Sequence, residues 1–118
     1  MERNIELSML LSYYGAFLTQ RQQELLSLHV DEDYSLSEIA EREHISRQGV
    51  HDALKRAEAQ LYEMEARLGL VRRVRQMEEG LLALKTCVER MELDEEQRQA
   101  ILKDIADLRG VWEDEHGV

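Results

Sequence analysis

Arg47, Gln48, His51 and Lys55 are the residues of this chain whose types and spacing can do chemistry, and that chemistry is recognition. On a helix, steps of one, three and four residues keep them on one outward face, with Asp52 among them. A guanidinium and a carboxamide in the first turns of such a helix can each bond a base edge bidentately in a major groove. Ser46, just ahead of the row, and Arg56, just beyond it, suit phosphate oxygens. The candidate nucleic-acid-binding set is therefore Ser46, Arg47, Gln48, His51, Lys55 and Arg56. Two short capped helices can also be only a packing unit, in which case the same face is plain solvated surface. Both readings stand at this level.

The elements that must position these residues are legible around them. Ser35 and Glu38 form an S-x-x-E capping box that opens a short helix, and Leu36, Ile39 and Ala40 mark its apolar face. A turn at Glu43-His44-Ile45 leads to Ser46, which caps a second helix with Val50, Ala53 and Leu54 on its inner side. The spacing is that of a helix-turn-helix. Ala40 is small where the helices must cross, and Ile45 and Val50 fall where plugs under the crossing are expected. His44 occupies the turn position usually given to Gly, which implies a positive φ at some cost.

Upstream, Leu7, Leu11, Tyr14 and Leu18, with Leu10 and Phe17 beside them, predict a first helix from Ile5 to Phe17. Tyr13 and Tyr14 read as core cover rather than base-stacking groups. Thr19 and Gln22 form another capping box, opening a helix that runs to Val30. Downstream, the second helix does not stop where a minimal recognition helix would. Val50, Leu54, Ala57, Leu61, Met64, Leu68 and Val71 keep a 4-3 rhythm, the pattern of a heptad seam. Gly69 interrupts it, and Val74, Met77, Leu81, Leu84, Val88 and Met91 resume in a new phase, which places a bend at residues 69–73. Asp94 is expected to cap a last helix through Gln97, Ile101, Ile105 and Leu108, ended by Gly110, with Trp112 packing back or projecting.

The expectation is an all-α fold: a helix-turn-helix domain over residues 1–68, a helical dimerisation or bundle extension over 69–112, and a frayed tail over 113–118. The long recognition helix would continue into a C-terminal helical hairpin or coiled coil. Leu61, Met64, Leu68, Val71, Leu81, Leu84 and Val88 are the candidate seam, covered either by the chain's own helices or by a second copy. A homodimer is the expected assembly.

Composition agrees with helix and narrows function. Proline is absent, and no run of alternating β-branched residues is present. The net charge of −10 argues against a globally basic nucleic-acid binder. Residues 1–75 carry 10 basic and 13 acidic side chains, whereas residues 76–118 carry 5 and 12, so the acidity is concentrated towards the end. Binding of nucleic acid is permitted, not demanded, and should depend strongly on salt.

Other chemistries fail on spacing. A calcium loop starting at Asp31 would need Gly at Leu36 and a bidentate Glu at Arg42, so Asp31-Glu32-Asp33 reads as a solvated turn. Cys87 is the only cysteine, expected to be a small buried hydrophobe in a helix rather than a thiolate ligand. The serines lack a base and orienting acid, the six glycines are scattered, and no catalytic residue, metal or cofactor is expected. No stretch approaches the roughly 18 apolar residues of a membrane span, and the start MERNIE is unlike a secretory signal, so membrane insertion is not expected and a cytoplasmic protein is.

Leu18 to Glu58 resembles the YlxM family of small bacterial helical proteins. The resemblance is carried by Leu18-Thr19 with Gln22, Asp33-Tyr34-Ser35-Leu36, Glu38-Ile39-Ala40, and Ser46-Arg47-Gln48 followed by Val50, Asp52 and Lys55-Arg56. It extends more weakly over residues 1–75. The family is similar in its helix-turn-helix to region 4 of bacterial sigma factors, and its members are typically encoded beside components of the signal recognition particle. The resemblance implies a regulatory or accessory role in that targeting pathway, with the particle's RNA or protein subunit as partner, or else DNA. His51 stands where the family usually has an aromatic and His44 where Gly is common.

Overall fold

The computed structural model describes residues 3–116, with side chains described for residues 3–111. Among the described residues there are six α-helices and no strand: α1 (Arg3–Tyr14), α2 (Gln20–Val30), α3 (Leu36–Glu43), α4 (Arg47–Leu68), α5 (Leu70–Arg90) and α6 (Glu95–His116). The protein is all-α.

The four predicted caps, Thr19, Ser35, Ser46 and Asp94, each make the helix start they were assigned. The Thr19 hydroxyl accepts from the Gln22 amide while the Gln22 side chain accepts from the Thr19 amide, and Ser35 and Glu38 repeat the arrangement on α3. Ser46 Oγ accepts from Gly49 N at 2.9 Å, and Asp94 Oδ1 accepts from Gln97 N at 2.7 Å. Each bond satisfies an amide that the helix geometry would otherwise leave without a partner.

The chain divides into two units, Met1–Val71 and Arg72–Val118. In the first, α1 to α4 close around one aliphatic core. Leu7, Leu10 and Tyr14 of α1 meet Leu25, Leu26 and Leu28 of α2, Ile39 of α3, and Val50, Leu54 and Leu61 of α4. Each such side chain contributes about 1.5–3 kcal/mol through burial. Ala40 is buried at the α3–α4 crossing, as its small size requires.

Both ends of the first helix, one core position and the end of the last helix differ from the expectation; the first helix already begins at Arg3, ahead of Ile5. The first helix stops at Tyr14, and Gly15–Phe17 form a 3₁₀ turn that leaves Phe17 72% exposed instead of beside the apolar stripe. The tighter turn rotates Phe17 off the inner face as the chain bends towards the Thr19 cap. Ile45 is 38% exposed and is not a plug. Its amide bonds to Ala40 O at 3.1 Å across the left-handed His44, the closing bond of a Schellman turn, so Ile45 lies against the end of α3 rather than beneath the crossing. Gly110 does not end α6, which continues to His116. A lone Gly weakens a helix by about 1 kcal/mol but does not stop it. The Trp112 side chain and the end of the predicted tail lie outside the described residues.

Gly69 is a true stop, with φ 63° and ψ 25°. The new helix begins at the next residue, and its first two amides are met by one side chain from far away in sequence and one from the end of α4. Tyr14 Oη accepts from Leu70 N at 3.0 Å and donates to Glu65 Oε1 at 2.7 Å, and Glu65 Oε1 accepts from Val71 N at 3.0 Å. Burial, then the Glu65 hydrogen bond, push the Tyr14 phenol above its ordinary range, which keeps it a neutral donor.

In the second unit, a turn at residues 91–94 joins α5 to α6, and Arg98 Nη2 donates to Met91 O at 2.6 Å across it. Val74, Val88 and Ile105 are buried, whereas Met77, Leu82, Leu84, Met91, Leu108 and Val111 are each substantially exposed. Cys87 of α5, expected to be buried, is exposed as well, since it falls on the outer side of the helix beside the buried Val88.

Candidate nucleic-acid interface

The second helix of the helix-turn-helix starts where its sequence places it. Ser46 is extended (φ −74°, ψ 155°) and α4 begins at Arg47. Gly49 belongs to the cap: a Cβ there would meet Ser46 Oγ at 3.1 Å, tight enough to disturb the bond that holds the helix start. Ser46, Arg47, Gln48, His51, Lys55 and Arg56 are all exposed, while Val50 and Leu54 between them are buried. The helix therefore presents the six candidates outward and anchors itself through the intervening apolar residues.

Asp52 organises this face, and spacing alone had only counted it as outward. Gln48 Nε2 donates to Asp52 Oδ1 at 3.0 Å, and His51 Nδ1 lies 3.4 Å from the same oxygen. The Gln48 amide, then the His51 side chain, hold the Asp52 carboxyl below its ordinary range, so the face carries a fixed negative charge. One Nε2 hydrogen of Gln48 is engaged, and its Oε1 and second hydrogen are left as the acceptor–donor pair that matches the adenine edge. The signal for this was in the sequence, as a Gln–Asp pair at i, i+4.

The face is braced from behind. Arg3 of α1 donates to Glu58 of α4 at 2.5 Å, and Arg21 of α2 donates to Glu43 at the end of α3 at 2.5 Å. Arg42 lies over the Tyr34 ring, 5.5 Å from its centroid, and donates to Tyr34 Oη at 3.1 Å. His29 Nδ1 stands 2.8 Å from Tyr34 O and donates to it, fixing the loop that enters α3. The acidic turn is likewise structural: Asp31 accepts from Ser8 at 2.7 Å and from Ser27 at 3.3 Å. Sequence reasoning missed Arg3, Glu58 and His29, because their proximity to α4 is made by the fold and not by local spacing.

The seam candidates do not fall in one environment. Leu61 and Val71 are buried in the core of the first unit, with Met64 packed on its edge. Leu68 is 54% exposed at the end of α4. On α5, Leu81 is half-buried, Leu84 exposed and Val88 buried.

Residues 1–105 match the UPF0122 family, described as "Putative helix-turn-helix protein, YlxM / p13 like". A UPF0122 protein of Acetivibrio thermocellus is 48% identical over 84 residues, covering 71% of this chain and 72% of that protein. One from Desulforamulus reducens is 40% identical over 109 residues, covering 88% of this chain and 93% of its own length. One from Geobacillus kaustophilus is 32% identical over 108 residues, covering 92% and 98%. With the helix-turn-helix in place and the match running through α1 to α5 and into α6, this chain belongs to the UPF0122 family.

Proposed function

We propose that this protein binds nucleic acid through the exposed face of α4 and acts as an accessory or regulatory factor of the signal recognition particle pathway. The observation that carries the binding reading is the α4 face itself. Arg47, Gln48, His51, Lys55 and Arg56 project to solvent from a capped helix whose other side is locked in the core. What supports the pathway is the resemblance of Leu18–Glu58 to YlxM proteins; under it the partner is the particle's RNA or its protein subunit. DNA is the alternative ligand, and a transcriptional regulator the alternative role. A homodimer is part of the proposal, supported by exposed apolar side chains on α5 and α6 such as Leu84 and Leu108.

Pull-down of the purified protein with the particle's RNA, its protein subunit and a random DNA duplex, across a salt series, separates these. Preference for the RNA supports the proposal, and equal retention of random duplex favours the regulator. Arg47→Ala and Gln48→Ala should each weaken binding to a preferred sequence by about 1–3 kcal/mol.

A second reading has its own observation. The net charge of −10 and the fixed Asp52 carboxylate on α4 favour a protein adaptor that meets a basic protein surface. Absence of nucleic-acid binding at low salt, with capture of the particle's protein subunit, would decide for it.

A further inference from the structure

Beside the base-reading row, α1, α2, α3 and α4 enclose a surface cleft of about 240 Å³. Leu36 and Leu54 form its apolar lining, and Arg3, His29, His51, Lys55 and Glu58 supply its polar atoms. We propose that this cleft seats one backbone phosphate of the nucleic acid whose bases face Arg47 and Gln48. The proposal rests on the nucleic-acid reading above and extends the footprint to α1 and α2.

The charge balance supports it. On a chain of net charge −10, a phosphate can approach closely only where cations locally outnumber carboxylates. The lining holds two cationic side chains, Arg3 and Lys55, against one carboxylate, Glu58, which Arg3 already engages; the Asp52 carboxylate lies just outside it, against His51. Side-chain exposure is 59% for Arg3 and 11% for Glu58, so the guanidinium is the member of the pair that faces water. Glu58 neutralises part of Arg3 but shields little of it.

The placement is equally specific. His51, Lys55 and Glu58 follow at i, i+4 and i+7, one stripe along α4. His51 and Lys55 belong both to this stripe and to the base-reading row, so the cleft adjoins that row and does not lie on a remote surface. His29 donates its Nδ1 hydrogen to Tyr34 O at 2.8 Å, which fixes the ring as one wall of the cleft. The buried Leu54 beneath excludes water from one side, where charge-assisted hydrogen bonds to a phosphate oxygen gain strength.

The test is the salt dependence of binding to a random-sequence duplex. The triple variant Arg3→Gln/Lys55→Gln/Glu58→Gln removes the cleft's cations and its carboxylate and changes net charge by −1. Arg67→Gln, at the far end of α4 and paired there with Glu63, changes net charge equally and serves as the control. Loss of one phosphate contact should flatten the slope of log K against log salt by about 0.9 in the triple variant and leave the control unchanged. Circular dichroism checks that the triple variant folds; if it does not, Lys55→Gln alone should weaken binding by a similar factor on every sequence. A wild-type slope in a folded triple variant, or unchanged binding by Lys55→Gln, overturns the seat while the nucleic-acid reading stands. Wild-type protein that binds no nucleic acid at low salt overturns both. Inorganic phosphate that shifts the His29 and His51 ring resonances without any change in the duplex slope marks a free-anion site and overturns the backbone assignment.

Discussion

His44 is a non-glycine residue in the left-handed region, at φ 59° and ψ 40°, on the turn between the two helices of the motif. Its Cβ crowds the following carbonyl there, at a cost of about 1–2 kcal/mol that Gly avoids. His44→Gly should therefore raise the stability of the first unit by about 1 kcal/mol, less a part returned to the unfolded chain's greater freedom, measured as a higher urea midpoint. An unchanged or lower midpoint would show that His44 makes a compensating contact. Asp52 is the second residue whose chemistry runs against its neighbours. Its carboxylate repels phosphate while its oxygen orients Gln48. Asp52→Asn keeps an acceptor for Gln48 and removes the charge, so it should tighten binding on all sequences at low salt. Asp52→Ala should tighten it too, but release Gln48 and lose discrimination of about 1–3 kcal/mol between preferred and scrambled duplexes. Competition titrations with the two duplexes read both effects.

At the scale of elements, capped helix starts were legible, whereas the ends of the first and last helices were not. A cap is a local bargain between a side chain and amides two or three residues on, so Thr19, Ser35, Ser46 and Asp94 could each be identified from sequence. Ends depend on what the chain must do next. Phe17 left the predicted helix because the path turns at Gly15, and α6 ran past Gly110 because no bond there rewards stopping. The cap on α3 also carries a pH dependence. The amide and hydroxyl of Ser35 hold the Glu38 carboxyl below its ordinary 4.5. A depressed acid stabilises the fold when ionised, so the contribution is present above about pH 4.5 and is lost as pH falls through the lowered value. Glu38→Gln should flatten that part of a stability–pH profile. The bend between α4 and α5 was legible at residues 69–73, but the hydrogen bonds that secure it were not, since Tyr14 and Glu65 stand 51 residues apart. Tyr14→Phe keeps the ring packed but removes the donor to Glu65 and the acceptor for Leu70 N. It should cost about 1–3 kcal/mol, and a midpoint equal to wild type would show that water replaces the hydroxyl.

For the whole molecule, the division of charge matters more than its sum. The exposed row on α4 was legible because it lies on one helix with one period, whereas the cleft beside it draws Arg3 and His29 from elements far apart in sequence. Both sit in the first unit, while residues 76–118 carry 12 acidic against 5 basic side chains. If phosphate is the ligand, that acidity opposes association through long-range repulsion, an effect on approach rather than on contact. Replacing exposed Glu89, Glu92, Glu95 and Glu96 by Gln moves the net charge from −10 to −6 without touching a residue of the α4 face. Association with duplex at low salt should then quicken several-fold and the gain should vanish as salt rises, because repulsion beyond a screening length of about 8 Å is removed by physiological salt. Stopped-flow traces at two salt concentrations measure this. An unchanged rate at low salt would show that the acidic segment does not hinder the approach of the duplex.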